Sequence, residues 1–329
     1  MQILPLPSAS TQPACQLRCQ ALPVSLTVTG LAAADLAALL QASASPSADW
    51  PQQRPPPVIV IDNPDVAPLP TLSAQVQSLQ VGPDRVELVS GRAAHLYPGV
   101  AEQQSSLPSH FPQSLYLCLA QQWARSGVFA LHAAGIVTAD EGLLVLGERM
   151  AGKSTLALSA LAAGHQVVSD DWLLLAADSD GRCQMERLRE YLAIRPGPVA
   201  QRLLPRAALA GVKRTSSAEQ RQLVPIDELA SARFPVSAAV TRLWQLQPAS
   251  DRPESTRIVP ETAAGALASL ITAAMPLLLS AQFPAERQAL MTTAGSLLRE
   301  IPAERVTAGR DLAREPGPNW ERLLKTLAF

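Results

Sequence analysis

Apolar residues along this chain fall into two rhythms. In the first hundred or so residues they come as short β-like runs at 25–29, 58–61 and 86–89, separated by connections rich in Pro, Ser and Ala such as 41–57. Runs of this length, bounded by turn formers, read as strands, so 1–114 is expected to be a small α+β or mostly β module with loops. The stretch Pro55-Pro56-Pro57 is locally extended, and a strand candidate follows it directly, so it marks no boundary. From 115 to 126 the rhythm changes: Leu115, Cys118, Leu119 and Trp123 recur at helical spacing, and Gly127 is placed to end that helix.

Beyond Gly127 strands and helices alternate. The segments 128–137 and 143–146 read as two strands of a hairpin joined by the polar turn 138–142, with His132 on the first strand. A helix over 155–163 stops at Gly164, a C′ glycine, and 166–169 rises as the next strand into Asp170-Asp171. Further strands are expected at 172–176, 191–194 and 242–247. Helix is expected over 263–298, interrupted at its prolines, and over 319–327, while 310–318 is too rich in Pro and Gly. The pattern predicts an α/β fold, with a second domain over 115–329.

Between the strand at 143–146 and the helix stands Gly147-Glu148-Arg149-Met150-Ala151-Gly152-Lys153-Ser154-Thr155, which fits G-x-x-x-x-G-K-[ST]. After a strand, such a loop turns backbone N–H groups toward phosphates. Lys153 neutralises the terminal phosphates, the Ser154 hydroxyl can ligate Mg²⁺, and the helix start adds partial positive charge. The bland alternative is a glycine-rich turn with an incidental lysine.

Phosphoryl transfer also needs a group to orient the attacking hydroxyl. Asp170 and Asp171 end the strand after the loop helix, where the carboxyl ends of strands in parallel sheets line a site. Adjacent strand residues point to opposite faces, so one acid can face the metal and nucleotide while the other faces an acceptor hydroxyl. Mutual repulsion would raise the pKa of one. Alternatively one acid caps a turn and only the other works. His132 either orients one of these acids or is a satisfied strand histidine.

With 47% hydrophobic and 17% charged residues, the 329-residue chain can bury a sizeable core. A net charge of −1 gives no general attraction to nucleic acid or to an anionic membrane. The uncharged stretch 262–284 is long enough to span a bilayer. It is diluted by Ala, Ser, Thr and Gln, broken by Pro276 and without an aromatic belt, so a soluble helix pair is expected. Cys15, Cys19, Cys118 and Cys183 form no metal-ligand pattern and are read as reduced thiols. Residues 1–10 lack the pattern of a secretory signal, so a cytoplasmic location is expected.

Three elements stand in register. His132-Ala133-Ala134-Gly135 begins fifteen residues before Gly147, and Gly164-His165-Gln166-Val167-Val168-Ser169-Asp170-Asp171 places its acids seventeen and eighteen after Lys153. Together they resemble the HPr kinase/phosphorylase family, in its divergent HPr-kinase-like branch outside sugar-uptake regulation. The match is strong over about 128–175, weaker through 191–198 and the helical C-terminus, and absent from 1–114. The resemblance implies an ATP-dependent serine kinase with a phosphoenolpyruvate-carboxykinase-like P-loop core. In it Asp171 would be the general base, His132 its supporting partner, and Ser154 and Asp170 the Mg²⁺ ligands. The parent family phosphorylates a serine of a small carrier protein, and some members reverse the transfer. Divergent members tailor ribosomally made peptides, lasso peptides among them. The parent family forms hexamers, which makes a homo-oligomer the expectation here.

The chain departs from that family twice. Met150 stands where the family usually has glycine, which disfavours a left-handed backbone there. The family's metal-binding glutamate followed by Arg-Gly is replaced by the region Ile194-Arg195-Pro196-Gly197, leaving Glu190 as a candidate by proximity. That loss argues against phosphorylase activity and against HPr as substrate. Arg195, or Lys213 with Arg214, either holds phosphate or is solvated surface.

The sequence therefore supports a kinase acting on a hydroxyl of a peptide, a protein or a small molecule, with 1–114 as the recognition module. A nucleotide sensor or scaffold that lost turnover is the second reading. A transport or motor ATPase is the third, lacking an LSGGQ-like signature and a distant Walker B acid.

Overall fold

The computed structural model describes residues 2–5, 14–18, 25–29, 34, 58–61, 76–81, 84–89, 93–97, 118–124, 127–139, 141–177, 181–195, 197–204, 213–214, 222–226, 229, 233–248, 253–274 and 284–327. The chain forms two compact units, one of residues 1–129 with 276–290 and the other of 130–275 with 291–329. The division falls fifteen residues beyond the boundary after 114 that the sequence suggested, and it returns a later segment to the first unit.

The first unit carries a seven-stranded sheet built from β1 (Gln2–Pro5), β2 (Ala14–Arg18), β3 (Ser25–Thr29), β4 (Val58–Ile61), β5 (Val76–Val81), β6 (Asp84–Val89) and β7 (Ala93–Tyr97). Its order is β1-β2-β3-β4-β7-β6-β5, with β3, β4 and β7 parallel and the remaining pairs antiparallel. Sequence pattern found β3 and β4, and β6 in part; the other four strands mix polar and apolar residues too evenly to stand out. A helix α1 (118–124) follows, and all seven of these residues are buried, Gln121 and Gln122 with Cys118, Leu119 and Trp123, so the helix is covered all round rather than on the one face its apolar spacing marks. Gly127, at φ +76°, donates its N–H to the Ala124 carbonyl at 3.0 Å and ends it.

Strand β8 (Val128–Leu131) leads into the second unit, followed by β9 (Ala134–Val137) and β10 (Gly142–Gly147). The single strand expected over 128–137 is two strands in two different sheets, and His132 lies in the bend between them rather than on a strand. Its backbone N–H goes to the Ala273 carbonyl at 2.9 Å instead of to a ladder partner. The hairpin itself is present: β9 and β10 pair antiparallel, closed by Thr138 N–H to the Glu141 carbonyl at 2.9 Å.

Helix α2 (Lys153–Ala162) comes next, then β11 (Gln166–Ser169), β12 (Leu173–Ala177), β13 (Cys183–Arg187), β14 (Tyr191–Ile194), α3 (Pro198–Leu203), β15 (Lys213–Arg214), β16 (Gln222–Pro225), β17 (Ser237–Ala239), β18 (Arg242–Leu246) and β19 (Arg257–Pro260). The chain closes with α4 (Ala263–Ala273), α5 (Pro284–Glu300), β20 (Ala303–Thr307), α6 (Asp311–Arg314) and α7 (Pro316–Leu327). The principal sheet runs β11-β9-β10-β18-β20-β19. Strands β10, β18 and β20 are parallel, β9 opposes β10, and β11 opposes β9. Strand β11 therefore points the same way as β10, and the carboxyl ends of both lie at one edge. Strand β10, Gly-Leu-Leu-Val-Leu-Gly, is buried from Gly142 to Leu146, as a central strand covered on both faces should be.

Helix α2 packs Leu156, Ala157, Ala160 and Leu161 into a core shared with Trp244 of β18, Val306 of β20 and Trp320 and Leu323 of α7. Trp244 and Trp320 stack at 5.8 Å and 17°, and the Trp320 indole N–H donates to Ser159 Oγ at 3.0 Å. An aromatic pair of this kind contributes about 1 kcal/mol beyond its buried area.

The region 310–318 corrects the sequence reading, because α6 and the first turn of α7 both lie within it. Pro316 and Pro318 sit in the first turn of α7, where a missing N–H leaves no helical bond unmade. The stretch tested for membrane spanning contains the eleven-residue α4, capped by Thr262 Oγ1 accepting from Gly265 N–H. Among the described residues no helix is long and apolar enough to cross a membrane.

Candidate active site

Strand β10 delivers the chain to Gly147, where a Cβ would stand 2.9 Å from the Leu246 carbonyl oxygen of β18 and 3.1 Å from Ala151 Cβ. Only glycine lets the backbone leave the sheet so close to its neighbour. The loop folds through a turn closed by Ala151 N–H on the Glu148 carbonyl at 3.1 Å, and Gly152, at φ 106° and ψ 18°, starts α2. No side chain caps the start of α2, and its first turn holds no acid. A helix start of this kind, without a capping side chain or an acid, suits an anionic ligand. Lys153 is buried, and its Nζ donates to the Gly147 carbonyl at 2.7 Å and the Glu148 carbonyl at 3.2 Å. Glu148, Arg149 and Met150 are exposed.

Met150 departs from the sequence expectation. It takes the left-handed conformation at φ +73°, the one non-glycine with positive φ among the described residues. The glycine-like loop shape is therefore kept, at a strain of about 1 kcal/mol, and an exposed side chain stands at the loop tip.

Asp170 and Asp171 follow β11 in a bend held by Ser169, whose Oγ donates to the Trp172 carbonyl at 2.7 Å and accepts from Asp171 N–H at 3.4 Å. The two acids have different surroundings. Asp170 is 2% exposed: Oδ1 accepts from Ala193 N–H at 3.2 Å, and Oδ2 is buried with no hydrogen-bond partner. Burial first, and then the charge of Asp171, push the Asp170 carboxyl up to about 7, against opposing contributions from Ser154, Ala193 and Arg189. Ser154 Oγ lies 3.5 Å from the Asp170 main-chain carbonyl.

Asp171 is gripped on both oxygens, by His132 Nε2 at 3.0 Å on Oδ1 and by Arg189 Nη1 at 2.9 Å on Oδ2. The His132 ring lies 5.8 Å from that of Trp172. His132, Arg149, Lys153, Ser154, Asp171 and Arg195 all border one cleft of about 240 Å³. The fold thus brings together the histidine, the loop and the second acid, while Asp170 is buried beside Ser154.

A cation fits this donor set. At Asp170 Oδ2 it would give a buried, orphaned carboxylate oxygen its missing partner, with the Ser154 hydroxyl at hand. Among the described residues no group of three or more His, Cys, Asp or Glu is arranged for a metal. The two donors at hand, a carboxylate and a hydroxyl, are oxygen ligands of the kind Mg²⁺ takes. Glu190 does not complete the set: its carboxylate pairs with Arg187 Nη2 at 3.0 Å. Arg195 Nη1 reaches Met150 Sδ at 2.6 Å, and Lys213 and Arg214 form β15, paired to β16 in the three-stranded sheet.

Arg189 is the site residue that sequence reading missed. The charged run 186–190 is visible, yet which arginine reaches the acid depends on strand register. Strand β12 pairs with β13 so that Leu173 faces Arg187. Continuing that antiparallel register by two residues sets Arg189 opposite Asp171, the only signal that would have found it.

No protein-family model matches the chain, and no curated protein matches it. Among solved structures it is similar to the Hpr(Ser) kinase/phosphatase from Coxiella burnetii, at 16% identity and a TM-score of 0.31, covering 60% of this chain and 87% of that one. A likeness that loose carries no inference, and the geometry of the site stands alone.

Proposed function

We propose that the chain is an ATP-dependent kinase with a P-loop core of the HPr-kinase kind, transferring the γ-phosphate to a serine or other hydroxyl of a peptide, protein or small molecule. The observation that carries this reading is Asp171, a carboxylate held by His132 and Arg189 on the same cleft as Lys153 and the uncapped start of α2. The N–H groups at the start of α2 and the Lys153 ammonium bind the phosphate chain of the donor. Lys153 exchanges its two loop carbonyls for phosphate oxygens. Asp171 accepts the proton of the acceptor hydroxyl as its oxygen bonds to the γ-phosphorus, and the bond from that phosphorus to the bridging oxygen breaks. His132 and Arg189 hold the Asp171 carboxylate in place from both sides. Ser154 and Asp170 would hold Mg²⁺, which supplies charge neutralisation on the phosphates.

The seven-stranded sheet of the first unit is proposed as the module that selects the acceptor, with a homo-oligomer as the working assembly and the cytoplasm as its place. A second reading, a nucleotide sensor without turnover, is favoured by the absent second acidic ligand and by Met150 at the loop tip.

Mg-ATP turnover decides between them, measured on wild type and Asp171→Asn with a peptide and protein pool, phosphorylation being read by mass spectrometry. Phosphate arriving on an acceptor only with wild type supports the kinase. Nucleotide binding without transfer to any acceptor supports the sensor, and no nucleotide binding overturns both.

A further inference from the structure

Met150 combines three features that its neighbours do not share. It is 68% exposed, its backbone is held in the left-handed region at φ +73°, and its thioether sulfur lies against the Arg195 guanidinium. Both residues border the phosphate cleft, so the contact joins the loop tip to the segment after β14 across one opening. A thioether is a weak acceptor and holds a guanidinium loosely. Its oxidation product, a sulfoxide, presents a strongly polar oxygen at the same place.

From these observations we infer that Met150 is a reversible oxidation site that controls phosphate binding in this cleft; the inference rests on the nucleotide-binding reading above. In the oxidation the sulfur lone pair attacks one oxygen of hydrogen peroxide, the O–O bond breaks, and water leaves. The thioether loses two electrons and the peroxide gains them. The sulfoxide oxygen then accepts a charge-assisted hydrogen bond from Arg195. That bond ties the arginine to the loop tip, removes a cation from an incoming phosphate and narrows the entrance. A thiol-dependent methionine sulfoxide reductase returns the thioether.

Among the described residues the other sulfur groups compete poorly. Met185 is fully buried, and Met291 is less exposed at 40%. Burial pushes the Cys15 and Cys118 thiols up to about 12, which leaves little of the thiolate that peroxide attacks.

The experiment treats the full chain with hydrogen peroxide, maps sulfoxide by peptide mass spectrometry over time, and follows the Kd for a fluorescent ATP analogue with Mg²⁺ in the same samples. The expected result is oxidation of Met150 ahead of Met291, with the Kd rising roughly tenfold in step, as loss of one charge-assisted contact implies. Reductase and thiol restore the starting Kd. Met150→Leu, compared before and after peroxide, shows no change in its own Kd. The inference is overturned if Met291 oxidises first, if Met150 sulfoxide leaves the Kd unchanged, or if the Met150→Leu protein remains peroxide-sensitive. Reduced protein that binds no nucleotide overturns the proposed function and takes this inference with it. Reduced and oxidised protein that bind equally well overturn this inference alone.

Discussion

The two ends of α2 are made of the same chain and treat their backbone groups oppositely. At the far end Gly164, at φ +96°, donates to the Leu161 carbonyl and His165 N–H to the Ala160 carbonyl, both at 3.0 Å, so the helix closes on itself. At the near end no side chain caps the helix, and a buried carboxylate oxygen of Asp170 has no partner. The far end borders the larger cavity, about 450 Å³ against about 240 Å³. Yet Glu141 there is already paired with Arg242 at 3.1 Å and with Thr241. The smaller cleft, not the larger cavity, is thus the one beside Asp170, whose buried oxygen is still to be satisfied.

The sharpest way to break this contrast is Asp171→Asn, which is expected to lower phosphoryl transfer by roughly 10² to 10⁴-fold while nucleotide Kd stays within about twofold. Transfer and binding assays on one preparation check it; loss of both together would count against Asp171 as base. Lys153→Ala should weaken nucleotide binding by roughly a hundredfold, since a buried ammonium that meets phosphate is lost, and isothermal titration measures it directly.

Asp170 supplies a pH test. Its folded-state carboxyl is raised to about 7 against a usual value near 3.8, so the folded protein holds that proton more tightly than the unfolded chain. The resulting stability is fully present below about pH 4 and is lost as the pH rises through 7. In metal-free buffer the wild type should therefore lose Tm between pH 5 and 8 relative to Asp170→Asn, and a difference independent of pH would refute the assignment. The smallest effect belongs to the far end. Gly164→Ala forces a Cβ into a left-handed position with nothing within 4 Å to clash, so it should destabilise by about 1 kcal/mol in a urea melt and leave nucleotide affinity alone.

The position of the 147–155 loop between strand and helix, and of the acid pair after the next strand, was legible because their spacing is local, and the strands at 166–169 and 191–194 fell where their apolar runs did. What escaped was set by distant pairings. His132 looks like a strand residue because both of its flanks are apolar, yet its N–H is claimed by Ala273 and the chain changes sheets there. Arg189 reaches Asp171 only through the β12–β13 register. Composition misled at 310–318, where two prolines sit at the one part of a helix that tolerates them. Met150 shows the reverse case, a residue with the wrong preference held in place by a loop whose other members fix its shape.

The indole of Trp320 stacks on Trp244 and donates to Ser159 midway along α2. Both rings are fully buried, so their surroundings are set by packing and by that one hydroxyl. A ligand in the cleft that moved α2 would change the surroundings of these two of the chain's five indoles, and a tryptophan-emission titration of wild type against Trp320→Phe would read it without a label.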